Sequence, residues 1–304
     1  MKGMIRIRKQ LKGSAALLLA SIIWGLAFSA QSTAMKHIQP FTFVFLRSII
    51  TFPLLAGASA LLTRLRGADA GAEPPLEIYL RRGVPMGLFL AAATLFQQIG
   101  LVYTTPAKSG FVTALYIVMV PLLSLALFHR RPARTVWLGV ALSLAGLILL
   151  CVQSDLTVNV GDLFTLASAL MFSCQILLID RCAGGLSAVK LSAVQFGTCA
   201  VVAGAIMGFV ETPTVSGILA CWPSILYVAV FSSAIGYTLQ IVGQKRTDPT
   251  LASLLMCLES VFAALGGWVL LGQALSPREL MGCALMLAAS VVAQLPDRRA
   301  AAQL

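Results

Sequence analysis

The stretch Gln97-Gln-Ile-Gly-Leu-Val-Tyr-Thr-Thr-Pro106 returns in altered form as Gln240-Ile-Val-Gly-Gln-Lys-Arg-Thr-Asp-Pro249. Both stretches belong to a longer gapless match between residues 97–145 and 240–288, in which 13 of 49 pairs are identical. The identities at glutamine, glycine, threonine and proline are the informative ones in a chain rich in leucine and alanine. The match predicts two homologous halves, a plan typical of transporters that hold substrate where the halves meet.

The composition indicates an integral membrane protein, because 59% of the residues are hydrophobic, only 11% are charged and the mean hydropathy is +0.91. A membrane-spanning helix needs about 20 mostly apolar residues. The sequence has ten such stretches, at residues 13–33, 41–63, 83–103, 107–128, 135–152, 161–181, 187–209, 217–242, 249–272 and 278–295. We therefore predict an all-α integral membrane protein with ten transmembrane helices in two inverted five-helix repeats, residues 1–152 and 153–304.

The inversion follows from the odd number of helices in each half, since the second half must then enter the membrane in the opposite sense. With a cytoplasmic N-terminus, 18 of the 22 Lys and Arg residues fall on the inside. Only Lys36, Lys108 and Arg278 fall outside, and Arg47 lies within a span. This distribution is the positive-inside bias, so the net charge of +11 orients helices rather than binding nucleic acid. Both termini are predicted to be cytoplasmic.

Two groups of residues resemble a known family. The stretches Ile23-Trp-Gly-Leu-Ala-Phe28 and Pro40-Phe-Thr-Phe-Val-Phe-Leu-Arg47 resemble the first two helices of the EamA family, in the drug/metabolite transporter superfamily. The stretch Leu258-Glu-Ser-Val-Phe-Ala-Ala264, followed by Trp268-Val-Leu-Leu-Gly-Gln273, is similar to its ninth-helix motif. The family usually has proline at the position of Ser260 and glutamate at that of Gln273.

This resemblance implies a secondary transporter of small metabolites that works by alternating access in a bacterial cytoplasmic (inner) membrane. Members of the family typically export amino acids or related compounds, although some import their substrates. Their central cavity is lined by helices one, three, four, six, eight and nine. The expected partners are a small solute, the lipid bilayer and protons as a coupling ion.

Ionisable side chains inside a membrane are costly, so they face a cavity, pair with another group or reach the interface. Glu259 lies about ten residues into the ninth stretch. One interpretation is a cavity carboxylate that binds a substrate ammonium group or takes up a proton, since burial favours the neutral form. The other is a glutamate that packs helices. Arg47 could meet a substrate carboxylate, reach the outer interface or cap helix ends.

Amides and aromatic rings inside the spans complete the candidate site. A buried amide needs a partner, which is either a neighbouring helix or a solute. Aromatic rings line a cavity or pack the core, and they stack on apolar or cationic groups. The substrate-binding hypothesis comprises Trp24, Gln97, Tyr103, Tyr116, Gln175, Tyr237, Gln240 and Glu259, with Glu259 also the candidate for proton coupling.

Enzymatic alternatives have little support from the sequence. A membrane enzyme needs clustered His, Asp or Glu near one face, but the chain has two His and no HExxH motif. The seven cysteines form no CxxC pair, so no metal or cofactor is predicted. We expect no catalytic activity. A flippase for a lipid-linked group and a polytopic membrane enzyme remain the alternative functions.

Overall fold

The computed structural model describes residues 2–65, 73–104, 106–151, 159–271 and 274–295, without the side chains of residues 2–9, 106, 107, 267, 270 and 271. The described residues form helices and short connections, with no strand among them. The helices before residue 152 are α1 (Lys2–Ala34), α2 (Pro40–Leu65), α3 (Leu76–Tyr103), α4 (Pro106–Ala114), α5 (Tyr116–Phe128) and α6 (Arg134–Cys151). Those after it are α7 (Val160–Cys182), α8 (Ala188–Val210), α9 (Val215–Ala220), α10 (Trp222–Tyr227), a π-helix (Val228–Gly236), α11 (Tyr237–Gln244), α12 (Pro249–Met256), α13 (Glu259–Leu271) and α14 (Pro277–Val292).

The all-α membrane fold predicted from the sequence is confirmed. Within the described ranges, nine helical spans are long and apolar enough to cross a membrane. The tenth predicted stretch corresponds to α14, which has 16 residues. The third span begins at Leu76 rather than at residue 83, because Pro75 ends the preceding connection and polar residues extend the helix beyond its apolar part. The eighth predicted stretch, 217–242, is divided between short helices.

Proline and capping residues set where several helices begin. Pro40, Pro249 and Pro277 occupy first helical positions, where a missing N–H costs least. Asp248, directly before Pro249, is the N-cap of α12 and accepts a hydrogen bond from Thr250 N at 2.9 Å, which stabilises the start of that helix. Thr105, which holds the aligned position before Pro106 and is therefore expected to be an N-cap, lies outside the described residues.

The contact between α6 and α14 relates the two halves. Gly139 and Gly282 are an aligned pair, 143 residues apart. A Cβ at Gly139 would lie 3.1 Å from the Ala289 carbonyl oxygen, and one at Gly282 would lie 2.6 Å from the Gly146 carbonyl oxygen. Ala289 and Gly146 are themselves 143 residues apart. Exchanging the halves therefore reproduces the same helix contact, as in a self-complementary interface.

A second contact is repeated in the same way. Gly100 of α3 packs on α7, where a Cβ would lie 2.9 Å from the Gly161 carbonyl oxygen. Its aligned partner Gly243 of α11 packs on α1, where a Cβ would lie 2.9 Å from the Gly13 carbonyl oxygen. Glycine at these positions lets the two backbones approach closely, as small residues commonly do in membrane helix packing.

The α6–α14 contact supports a stability prediction. Replacing Gly282 with leucine should lower the free energy of unfolding by about 1–3 kcal/mol, because the side chain must displace the Gly146 backbone. A matched control is Gly57→Leu, since a Cβ at Gly57 meets no atom within 4 Å. The thermal unfolding midpoint of both variants in detergent checks this. Equal midpoints for Gly282→Leu and wild type would contradict the close contact.

Candidate functional site

A cavity lies between the helices of both halves. Its volume is about 40 Å³ for the centres of water molecules, which is room for roughly three of them. The lining residues are Trp24, Phe28, Gln31, Arg47, Gln97, Thr113, Tyr116, Phe172, Ile176, Ser232, Tyr237, Gln240, Met256 and Glu259.

The fourth and ninth predicted spans are each interrupted beside this cavity. The first break is at Leu115 between α4 and α5, and the second is at Cys257 and Leu258 between α12 and α13. The two breaks have equivalent backbone hydrogen bonds. Leu115 N donates to Val112 O, and the residues 143 positions later repeat this bond, from Leu258 N to Leu255 O. Discontinuous helices near the membrane midplane are typical of substrate and ion sites in transporters.

Tyr116 and Glu259 follow these breaks and contact each other. The two residues are an aligned pair, 143 positions apart. The Tyr116 hydroxyl donates to Glu259 Oε1 at 3.5 Å, a long hydrogen bond, and both side chains are buried. Two residues at aligned positions of the two halves can contact each other only where the halves meet. The pair therefore marks the centre of the interface between the halves.

Arg47 lines the same cavity from α2. Its side chain is only 2% exposed, so it does not extend to the outer surface. Arg47 Nε donates to the Ser233 hydroxyl at 3.1 Å. Among the residues that the structure describes, no carboxylate lies within 4.0 Å of its guanidinium, and no cation lies that close to Glu259. One buried cation and one buried carboxyl group thus share a cavity, and neither has an ion-pair partner in the part of the chain that the structure describes.

Amide side chains form a chain of hydrogen bonds that starts at the cavity wall. Gln240 Nε2 donates to Gln175 Oε1 at 3.0 Å, and Gln175 Nε2 donates to Gln195 Oε1 at 3.0 Å. These bonds fix the orientation of Gln240, whose buried Oε1 has no partner among the described residues. On the other side of the cavity, Gln97 Nε2 donates to the Thr113 hydroxyl at 3.4 Å. Gln240 thus places a buried acceptor oxygen, without a partner among the described residues, in a side chain of the cavity wall.

Aromatic rings close one side of the cavity. The rings of Trp24 and Tyr237 have centroids 4.9 Å apart, and Tyr237 also meets Phe196 edge-on at 5.4 Å. Trp24 Nε1 donates to the Ser232 carbonyl oxygen at 3.0 Å, which fixes the indole. The wall can stack on an apolar or cationic part of a solute.

The structure brings most of the hypothesised residues together. Six of the eight line the cavity, namely Trp24, Gln97, Tyr116, Tyr237, Gln240 and Glu259. Gln175 lies one layer behind, fully buried and bonded to Gln240. Tyr103 does not line the cavity, because it is the last residue of α3, where 58% of its surface is exposed.

The structure also adds lining residues to the sequence hypothesis. Thr113 and Met256 are an aligned pair, each three positions before Tyr116 or Glu259 and on the opposite side of the helix break. That spacing is the signal that could have identified them. Phe172, Ile176 and Ser232 have no comparable sequence signal, since apolar residues and serine are frequent throughout the spans.

Ion pairs join the halves away from the cavity. Lys108 of α4 contacts Asp162 of α7 at 2.6 Å, and Arg130 after α5 contacts Asp180 of α7 at 2.7 Å. Both are outside the residues that line the cavity. Across the described ranges, no group of three or more His, Cys, Asp or Glu side chains is placed to hold a metal ion.

Comparison with known proteins agrees on one family. The sequence model of the EamA-like transporter family matches residues 11–152 and again residues 159–294. An uncharacterized transporter of Archaeoglobus fulgidus is 26% identical over 94% of this chain and 87% of its own length. The uncharacterized inner membrane transporter YedA of Escherichia coli K12 is 26% identical, over 96% of this chain and 93% of its own.

Two further comparisons extend over almost the whole chain. The uncharacterized transporter YwfM of Bacillus subtilis is 25% identical, over 93% of this chain and 94% of its own. A solved crystal structure superposes with a TM-score of 0.76 over 95% of this chain and 98% of that one, at 22% sequence identity. At this identity the likeness shows the fold alone.

Proposed function

Because this chain belongs to the EamA-like transporter family, and is a multi-pass membrane transporter, we propose that it carries a small zwitterionic metabolite, an amino acid or a related compound. The cavity between the halves is the proposed binding site. No cofactor enters this proposal, and the transported solute is the small-molecule partner.

One observation carries the proposed solute class: Arg47 and Glu259 line one cavity and neither has an ion-pair partner in the described part of the chain. A buried charge without a partner is costly, so a site that keeps two such groups gains most from a ligand that supplies both opposite charges. A zwitterion supplies a carboxylate for Arg47 and an ammonium group for Glu259. The free oxygen of Gln240 would accept a further hydrogen bond from the ammonium group.

Alternating access is the proposed transport mechanism, with residues 1–152 and 153–304 as the two inverted repeats. The paired glycine contacts of α6 with α14, and the matching breaks beside Tyr116 and Glu259, support this division. An inverted repeat offers two nearly equivalent packings, one open to each side of the membrane. The small cavity volume agrees with a state in which neither side is wide open.

Glu259 is the proposed site of proton coupling. Glu259 contacts Tyr116, which holds the aligned position in the other half. We therefore expect Glu259 to stay at the centre of the interface in both packings of the two halves. A carboxyl group at that point can exchange a proton with either side in turn. The direction we propose is export, from an inner membrane with both termini in the cytoplasm, which is the orientation that the positive-inside bias supports.

Solute-dependent stabilisation of the purified protein tests the proposed solute class. A ligand present at 100 times its Kd raises the free energy of unfolding by about 2.7 kcal/mol. We expect at least one standard amino acid to raise the unfolding temperature, and neither its carboxamide nor its N-acetyl derivative to do so at equal concentration. Stabilisation by a lipid-linked compound and by no amino acid would contradict the proposal and favour a flippase.

A further inference from the structure

The Val228–Gly236 segment is π-helical over nine residues. A π-helix usually occurs as a single turn within an α-helix, frequently at functional sites. The residues 143 positions earlier, 85–93, are regular α-helix within α3. The repeat therefore does not account for the π-helix, so the contacts that this segment makes must hold it.

Three side chains from α1 and α2 bond to the π-helix. The Thr51 hydroxyl donates to the Ala229 carbonyl oxygen at 2.9 Å, sharing its one hydrogen with its own helix at the Arg47 carbonyl oxygen, 2.7 Å away. Trp24 Nε1 donates to the Ser232 carbonyl oxygen at 3.0 Å. The third bond runs from Arg47 Nε to the Ser233 hydroxyl, at 3.1 Å. These bonds tie the π-helix to α1 and α2 at three positions.

The winding of this segment sets which way α11 faces. Tyr237 and Gln240 follow it directly, and both line the cavity. Successive residues of an α-helix are rotated by about 100°, so a change of one residue in the register of the π-helix turns α11 by about that angle. Such a turn would remove both side chains from the cavity wall. The π-helix and the solute site are therefore coupled.

We propose that Thr51 is a positioning residue of the solute site, which acts by keeping Val228–Gly236 π-helical so that Tyr237 and Gln240 face the cavity. Thr51 is fully buried and does not itself line the cavity. Trp24 and Arg47 also bond to the π-helix, but both line the cavity, so replacing either would change solute binding directly. Of these three residues, only Thr51 can be replaced to test positioning without removing a lining side chain. The inference rests on the proposed function in taking the cavity as the place where solute binds.

Two substitutions at Thr51 test the proposal. Thr51→Val removes the hydroxyl and leaves the Ala229 carbonyl without this donor, whereas Thr51→Ser keeps it. We expect Thr51→Val to raise the KM for transport about tenfold with kcat within about twofold, and Thr51→Ser to keep both at wild-type values. A matched control is Thr198→Val, which removes a threonine hydroxyl bond to a backbone carbonyl within α8, from Thr198 to the Val194 carbonyl oxygen.

The fluorescence of Trp24 gives a readout that needs no solute. The chain has four tryptophans, so replacing Trp137, Trp222 and Trp268 with phenylalanine leaves Trp24 as the reporter. Because the Trp24 indole bonds to Ser232 O, rewinding of the segment should change its emission in Thr51→Val, and not in Thr51→Ser or Thr198→Val. An unchanged emission, or a changed emission with unchanged KM, would overturn the role of Thr51.

Failure of the proposed function is separable from failure of this inference. A wild-type protein that moves no solute counts against the transport proposal, while the emission of Trp24 still shows whether Thr51 holds the π-helix. If Thr51→Val does not fold, Thr51→Ala replaces it, because alanine also removes the hydroxyl that donates to the Ala229 carbonyl oxygen and is well tolerated in a helix. The same rise in KM and change in emission are expected there, and wild-type values of both would overturn the proposal.

Discussion

Replacing Glu259 with glutamine is expected to abolish proton-driven accumulation of solute while solute exchange across the membrane continues. Glutamine has the shape of a protonated glutamate and cannot release a proton. Each unit of pH difference is worth about 1.36 kcal/mol per proton, which corresponds to a tenfold concentration ratio for one proton per solute. In reconstituted vesicles with a one-unit gradient, wild type should therefore approach a ratio of about ten, and Glu259→Gln a ratio of about one.

The control for this variant is Tyr116→Phe. It removes the hydrogen bond to Glu259 and leaves the carboxyl group in place. We expect Tyr116→Phe to change the rate of transport and still reach the wild-type concentration ratio. Accumulation by Glu259→Gln to the wild-type ratio would show that the proton is carried elsewhere, and would leave Glu259 with a packing role only.

Replacing Arg47 with glutamine is expected to weaken binding of solutes that carry a carboxylate by about 10- to 100-fold. A hydrogen bond to a charged group contributes about 1.5–3 kcal/mol, and every 1.4 kcal/mol is a factor of ten in Kd. Arg47→Lys should also bind less tightly than wild type, because lysine keeps the charge and loses the forked geometry that matches a carboxylate. Kd is obtained from the dependence of thermal stability on solute concentration.

Comparing two solutes in the same variant distinguishes a loss of carboxylate binding from a loss of folded protein. Arg47 is buried and bonded to Ser233, so its removal also affects stability. We expect the ratio of Kd for an amino acid and its carboxamide to fall towards one in Arg47→Gln. Arg130→Gln, which breaks a pair outside the cavity, should keep the wild-type ratio. An unchanged ratio in Arg47→Gln would place the carboxylate of the solute at another residue.

The sequence predicted the features that repeat. The gapless match indicated two halves, and Gln97 with Gln240 both line the cavity. It also aligned Tyr116 with Glu259, although their contact becomes visible only when the halves are packed together. The lengths of the apolar stretches predicted where the helices run, and the ends that differ, such as Leu76, are set by caps and polar residues beyond the apolar part.

Features that depend on long-range contacts could not be predicted from the sequence pattern. Arg47 lies on the second helix, and its place in the cavity depends on how α2 packs against the π-helix. The π-helix itself has no local sequence pattern, since its partners Thr51 and Trp24 are 178 and 208 residues away from the atoms they bind. Tyr103 shows the reverse case, since an aromatic residue near a span can face away from the cavity.

Uptake of labelled amino acids and related metabolites into right-side-out and inside-out membrane vesicles, with and without a pH gradient, tests the transport proposal directly. We predict that at least one zwitterionic solute accumulates, and that collapse of the gradient abolishes its accumulation. For an exporter the accumulation should occur in inside-out vesicles with an acidic interior. No uptake of any solute in either orientation, from protein shown to be folded and inserted, would contradict the proposal that this cavity carries a small zwitterion across the membrane.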